Sequence, residues 1–330
     1  MLAQQERFVS RVGLDLGSHT INGVEVVERV SETVIRSAGS VVVPGTESRD
    51  SQFDVGKAVH AIKELWSMAG FESRRVVLAL PARAIYTKWL HLEANDEDEL
   101  DQTARMAAVR GAPFGAADAI TDYRILSTRR SGSRTVYFVM VVATSSSAID
   151  TLLNTVETAG LEPLAVDITA AAAVRSFDTQ KRKAGPLWRS QPLAHCIIGA
   201  RSTTIAVVRG DALEFARTIP VGGNDFTECL AEYAGISWAE ADSIKTTSGT
   251  RLVENGIMIA PSGGSEWRAP CENVVGRLAR ETQRSLRFFS SQYAEGSYLG
   301  MIGATTISGG GALLKGIGEC LHEQGIESAG

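Results

Sequence analysis

Apolar residues near the start of the chain fall in strand-length runs broken by turn formers. Arg11–Val27 reads as strand, Gly-containing tight turn, strand, and Val34–Val43 as a third strand. Asp54–Met68 switches to helical spacing, with Val55, Val59, Ile62, Leu65 and Trp66 on one stripe and Gly70 placed to end the helix. Arg75–Leu80 is a continuous apolar run halted by Pro81, the pattern of a strand buried on both faces. From Ile85 the pattern runs strand, helix, strand, strand, helix over Ile85–Leu92, Asp96–Val109, Ala119–Leu126, Thr135–Thr144 and Ser147–Ala159. The acidic run Asp96–Glu99 opens its helix, where the dipole favours negative charge. Leu164–Ile168 is a further strand, followed by an alanine-rich helix to about Phe177.

Polar, basic and Gly-Pro-broken, Asp178–Gln191 marks a boundary between two lobes, and its Lys181-Arg182-Lys183 reads as solvated linker in preference to a lipid contact. Beyond it the opening pattern returns. His195–Val208 is again strand, Gly-containing turn, strand, and Leu213–Pro220 supplies the third strand. With Gly17 set on Gly199, Asp15 falls on Ile197 and Ser18 on Ala200, so the chain carries one long internal duplication.

Such turns have two uses. They close hairpins, or they let backbone N–H groups and hydroxyls come close to a phosphate that a side chain would block. Asp15, just before the first turn, could hold Mg2+ through water. A third cluster, Gly309-Gly310-Gly311, is predicted at a strand-to-helix turn. It reads equally as a connection needing positive φ and as a surface for a flat base or ribose beside a helix N-terminus.

Composition narrows the classes. At 330 residues, 44% hydrophobic and 22% charged, the chain is sized for two globular lobes and too apolar to be disordered. A net charge of -5 gives no footprint for nucleic acid. Cys196, Cys229, Cys271 and Cys320 form no CxxC pair, and the five histidines have no zinc-ligand spacing, so the cysteines read as buried and reduced, in keeping with a cytoplasmic setting. No apolar run reaches membrane-spanning length and Met1–Arg11 has no signal-peptide core, so any membrane role is expected through a partner.

Leu14–Ser18, Ile198–Ala200, Arg217–Gly223, Glu281–Phe289 and Ser308–Leu314, in this order, resemble the PilM family of type IV pilus assembly proteins, which is related to FtsA. The resemblance implies an α/β actin-like ATPase (ribonuclease H-like) fold of two duplicated lobes around a nucleotide cleft. It places the first lobe at 1–180 with an inserted α+β subdomain at about 74–160, a linker at 181–192, and the second lobe at 193–330 with a small subdomain at about 236–270. It implies a cytoplasmic scaffold at the inner membrane that grips the N-terminal tail of a PilN-like membrane protein and couples to pilus assembly ATPases; self-association stays open. ATP and Mg2+ are the implied ligands. Gly17, Ser18 and Thr20 would meet the phosphates from one side and Gly199, Ala200 and Ser202 from the other. Asp15 would sit near the metal, Glu281 and Arg284 would reach ribose and base, and Gly309, Gly310 and Gly311 would lie beneath the adenosine.

Two positions depart from the family pattern: Ile197 replaces an aspartate on the second phosphate strand, and Asn22 replaces a lysine in the first hairpin. A missing carboxylate leaves metal or water unpositioned, so efficient hydrolysis is not expected. His19 and Arg201, at the turn tips, read as solvent-facing in preference to partial replacements for the lost positive charge. A sugar or acetate kinase of the same fold and an FtsA-like filament former remain alternative readings. The first needs a carboxylate base in the cleft, and the second a basic amphipathic anchor at a terminus.

Overall fold

The computed structural model describes residues 9–29, 32–45, 53–80, 84–132, 134–176, 191–247, 249–293, 297 and 300–326. Pro81 and the expected linker, apart from Gln191 and Pro192, lie outside them.

The chain opens as a meander. β1 (Val9–Leu16) and β2 (Thr20–Glu28) pair antiparallel, with Asp15 opposite Asn22, and β3 (Thr33–Val42) adds to β2. Alternation buries Val12, Leu14 and Leu16 of β1. Helix α1 (Val55–Ala69) packs Ile62 and Leu65 into the same core. It starts at Asp54, whose carboxylate accepts the Lys57 N–H at 3.0 Å, and stops at Gly70, whose φ of 65° suits glycine. β4 (Arg75–Leu80) returns parallel to β1, and β8 (Glu162–Ile168) lies parallel to β4, completing the order β3-β2-β1-β4-β8. Val76, Leu78 and Leu80 of β4 are buried, whereas Val77 and Ala79 are only half-buried, so the apolar run overstated cover on the second face. Glu25, fully buried in β2, accepts from the Ser10 hydroxyl and from the N–H groups of Glu72 and Ser73, which satisfies its charge.

The second half repeats this arrangement. β9 (Leu193–Ile198) and β10 (Thr203–Arg209) form the hairpin, β11 (Ala212–Ile219) adds outside, and β15 (Ala304–Ser308) returns parallel to β9, in the order β11-β10-β9-β15. The parallel strand follows a helix in each copy: α1 before β4, and α7 (Glu272–Ser290) before β15. One strand order with one set of pairing directions, twice, is the structural form of the duplication.

Two smaller sheets are added. β5 (Ile85–Ala94), β7 (Arg134–Ser145) and β6 (Ala119–Ser131) form one, covered by α2 (Glu97–Gly111) through Leu100, Ala104 and Ala108. Its opposite face packs Met140, with Trp89 and Val142, onto Ala206, Val208 and Leu213 of the second half, and Trp89 Nε1 donates to the Leu213 carbonyl at 2.9 Å. α3 (Ser146–Thr158) belongs to the first core, through Leu152 and Val156. Thus β4 and α3, within the expected insertion of about 74–160, sit in the five-stranded layer, because the parallel strand it needs is drawn from there. α4 (Thr169–Ser176) follows β8. β12 (Arg251–Val253), β13 (Ile257–Ser262) and β14 (Ser265–Pro270) form the other small sheet, next to α5 (Gly223–Ala234) and α6 (Trp238–Lys245). α8 (Ile317–Glu323) closes the described chain.

His195 in β9 is buried, with Nδ1 2.7 Å from the Thr306 hydroxyl and Nε2 2.9 Å from that of Ser308. Burial lowers its pKa from 6.5 to about 3. A histidine depressed in the folded state binds its proton more readily when unfolded. Its contribution is therefore complete above pH 6.5 and is lost as pH falls toward 3, at up to about 1.4 kcal/mol per pH unit. Denaturant titrations at stepped pH are expected to show the stability gap between wild type and His195→Gln closing between pH 6 and pH 4; a constant gap would contradict this.

Candidate functional site: a cleft between the two hairpin turns

Asp15, Gly17, Ser18 and Thr20 from the first hairpin, Gly199, Ala200 and Ser202 from the second, and Gly309, Gly310 and Gly311 line one cavity of about 1190 Å³. Turns in corresponding places of the two sheets thus face each other. Glu281 and Arg284, on α7, do not line it. They lie 3.9 Å apart, and Glu281 also pairs at 3.6 Å with Arg217, which does line the cavity.

Backbone contacts fix the second turn. Gly199 N–H donates to the Ser202 carbonyl at 2.9 Å, while the carbonyls of Gly199 and Ala200 accept from the first amides of α5, Gly223 at 2.9 Å and Asn224 at 2.7 Å. The turn therefore caps a helix through its carbonyls. Gly222 makes this fit: a Cβ there would stand 2.6 Å from the Gly199 and Ala200 carbonyl oxygens. Its N–H donates at 2.8 Å to Asp225, which is ion-paired with Arg277.

The third cluster departs from expectation. Gly309 has a φ of +88°, and a Cβ on it would meet the Ile198 carbonyl oxygen at 2.5 Å, so its glycine is demanded by the crossing over β9. At Gly310 a Cβ would touch nothing within 4 Å. A 3-10 turn, Gly310–Leu313, follows, and the α-helix begins only at Ile317. The helix N-terminus at the cavity is instead that of α5, which starts at Gly223.

The electrostatics favour an anion. Arg201, Arg217, Lys245 and Lys315 line the cavity against the carboxylates Asp15 and Asp242. Asp15 is exposed to the cavity with Asn22 Nδ2 at 3.4 Å, and desolvation by the surrounding cleft walls raises its carboxyl pKa from the ordinary value, against the lowering effect of Asn22. On the second strand the matching Ile197 is apolar and pairs with Thr204, so that strand position carries no counterpart of the Asp15 carboxylate. Lys245 Nζ reaches Asp242 at 2.7 Å, the Thr227 hydroxyl at 2.5 Å and the Gly223 carbonyl at 3.2 Å, tying α6 to the start of α5. Beside it, the buried Asn224 side chain lines the cavity with Nδ2 lacking a hydrogen-bond partner among the described residues. A buried donor of this kind is costly unless a ligand or water meets it.

His19 and Arg201 do not stand out in solvent. Both line the cavity, and His19 Nε2 lies 3.5 Å from Asp242 with its ring edge-on to Trp238. Burial, the largest influence, lowers the His19 pKa, while Asp242 opposes it. The sequence reading missed Lys245, Asp242 and Asn224. Their one signal was position: Asn224 directly follows the Gly222-Gly223 pair at the start of α5, and Asp242 and Lys245 share one helical face.

Comparison with known proteins agrees with this geometry. The chain matches the family described as type IV pilus assembly protein PilM over residues 13–328. It is 23% identical to the cell division protein FtsA of Bacillus subtilis (strain 168), over 72% of this chain and 58% of that protein. It is 22% identical to FtsA of Helicobacter pylori (strain J99 / ATCC 700824), over 57% of this chain and 39% of that protein. The chain thus spans about half the length of the curated relatives it matches. Among solved structures, one titled PilM-PilN type IV pilus biogenesis complex superposes with a TM-score of 0.77 at 24% identity, over 96% of this chain and 86% of that one. The fold is that of the actin-like ATPases, with the duplicated mixed sheets and the added α+β sheet described above.

Proposed function

We propose, for a chain that belongs to the PilM family of type IV pilus assembly proteins, that it is a scaffold of the inner-membrane pilus platform whose cleft binds ATP with little hydrolysis. The observation that carries the nucleotide reading is the shared cleft itself, in which two duplicated turns, four cationic side chains and the unpartnered Asn224 amide converge. Its volume exceeds what a nucleotide needs. The groups present fit a magnesium nucleotide. Gly17, Ser18, Thr20, Ala200 and Ser202 would offer amides and hydroxyls to the phosphates, Gly199, whose N–H is taken by the Ser202 carbonyl, would let the turn approach them closely, and Asp15 would hold the metal through water. Gly310, open on its Cβ side, leaves room beneath the nucleoside. Magnesium would neutralise phosphate charge. With Ile197 apolar, no carboxylate faces the terminal phosphate from the second strand to orient a water, which favours binding over turnover.

The partner we assign is the N-terminal tail of a PilN-like inner-membrane protein. Support comes from family membership and from the PilM-PilN title of the superposed structure. None of the described helices is long and apolar enough to cross a membrane, so membrane placement would come through that partner. Calorimetric titration with ATP and Mg2+ is expected to give saturable one-to-one binding without matching phosphate release. Fluorescence anisotropy with a labelled PilN-tail peptide is expected to saturate. Absence of peptide binding at high micromolar concentration would reject the scaffold assignment, and absence of ATP binding would reject the cleft assignment alone.

A further inference from the structure

Asn224 is the second residue of α5 and is only 3% exposed. Its backbone is committed. The first three amides of α5 are all used within the protein: Gly223 and Asn224 donate to the Gly199 and Ala200 carbonyls, and Asp225 donates to the Gly222 carbonyl at 3.1 Å. The helix start is wedged between two glycine turns, since a Cβ on Gly223 would lie 3.7 Å from the Gly199 carbonyl oxygen and 3.9 Å from the Gly311 Cα. From this fixed position the Asn224 side chain lines the cavity, and its Nδ2 has no hydrogen-bond partner among the described residues. Helix α5 therefore presents a side-chain donor to the cleft where its own first amides are already taken.

We propose that Asn224 is a phosphate-binding residue of the cleft, its Nδ2 donating to a phosphate oxygen of the bound nucleotide; this rests on the nucleotide reading above and names the part of the ligand that the residue takes. Three observations select phosphate over nucleoside. The Asn224 N–H is tied to the Ala200 carbonyl at 2.7 Å, which places the residue beside the second of the two turns assigned to the phosphates. Lys245 Nζ stands 3.2 Å from the carbonyl of the preceding residue, Gly223, so a cation lies next to the amide. An amide nitrogen only donates and phosphate oxygens only accept, whereas each hydroxyl of a ribose does both.

The same donor links binding to stability. A buried amide with nothing to donate to destabilises the empty chain, and a phosphate oxygen that completes the bond removes that burden in the loaded one. Taking the amide away thus acts in opposite directions on the two states. The empty chain gains, because no donor is left stranded, and the loaded chain loses a hydrogen bond to a charged group. A residue that served only to hold α5 in place would show the reverse in the empty chain, since its removal would lower stability.

The test is calorimetric titration of the full-length wild type, Asn224→Leu and Asn224→Asp with ATP, inorganic tripolyphosphate and adenosine, all with Mg2+ present, alongside urea denaturation of each protein without ligand. Asn224→Leu is expected to bind ATP and tripolyphosphate roughly tenfold more weakly, and Asn224→Asp more weakly still, because its carboxylate repels phosphate. Adenosine binding should stay within about twofold of wild type in both. The empty Asn224→Leu chain should be at least as stable as wild type. Equal losses for all three probes with lowered stability would make Asn224 a structural residue and overturn the assignment. A loss confined to ATP and adenosine would move its partner to the ribose or base, which overturns it too. Wild-type ATP affinity in both variants would reject Asn224 and leave the nucleotide cleft standing, whereas a wild type that binds neither ATP nor tripolyphosphate would remove the nucleotide reading itself. Should Asn224→Leu fail to fold, the near-isosteric Asn224→Asp decides by the same titrations.

Discussion

Replacing Gly222 with alanine is expected to cost about 3 kcal/mol of stability and to remove ATP binding from whatever fraction stays folded. The added Cβ would lie 2.6 Å from two carbonyl oxygens and 2.7 Å from the Ser202 nitrogen. All three are backbone atoms, so no rotamer change relieves the clash; the second turn must move away from α5. That movement stretches the bonds from Gly223 and Asn224 to the Gly199 and Ala200 carbonyls, which leaves buried amides without partners. It also displaces the turn from its place opposite Gly17. Gly310→Ala is the control for stability, because its Cβ meets no protein atom within 4 Å. Urea denaturation of both variants and calorimetric ATP titration of Gly222→Ala against wild type check this. A Gly222→Ala protein as stable as Gly310→Ala would show that the turn and helix do not depend on the close approach.

Removing the Lys245 ammonium is the second large effect. Its contacts with Asp242, Thr227 and Gly223 are made by side chains only 14% and 16% exposed for the charged pair. Lys245→Ala is expected to destabilise the chain by about 2–3 kcal/mol, mostly because Asp242 is left charged and poorly solvated. ATP binding should weaken about tenfold, since the cleft loses one of its cations while both carboxylates remain. The double variant Lys245→Ala, Asp242→Asn separates the causes. Stability should largely return, because the stranded charge is gone, while ATP binding should stay below wild type because the ammonium donor is still missing. If affinity returned with stability, Lys245 would be acting only through the fold.

Much of this architecture was legible before any coordinates. Strand alternation in β1 and β2, the helical stripe of α1 and its stop at Gly70 are local properties, fixed by side-chain period and by the positive φ that glycine tolerates. Local too is the repeat of hairpin plus third strand after His195, which is why the duplication could be read by laying Gly17 on Gly199. The family resemblance added the cleft, and the paired turns do share one.

What stayed hidden depends on long-range packing. Glu281 and Arg284 share a helical face, as their spacing requires, yet spacing cannot say which way α7 turns against β11, and neither lines the cavity, which Glu281 reaches only through its pairing with Arg217. His19 reads as a solvent-facing turn tip until α6 brings Asp242 and Trp238 to it from the other half of the chain. The sequence alone determined the elements of the first half, the hairpin and third strand that repeat after His195, and with them the duplication, since each rests on the conformational preferences of neighbouring residues. Only the tertiary structure decided which groups share the cleft, because burial and charge there are sums over residues that the chain keeps far apart.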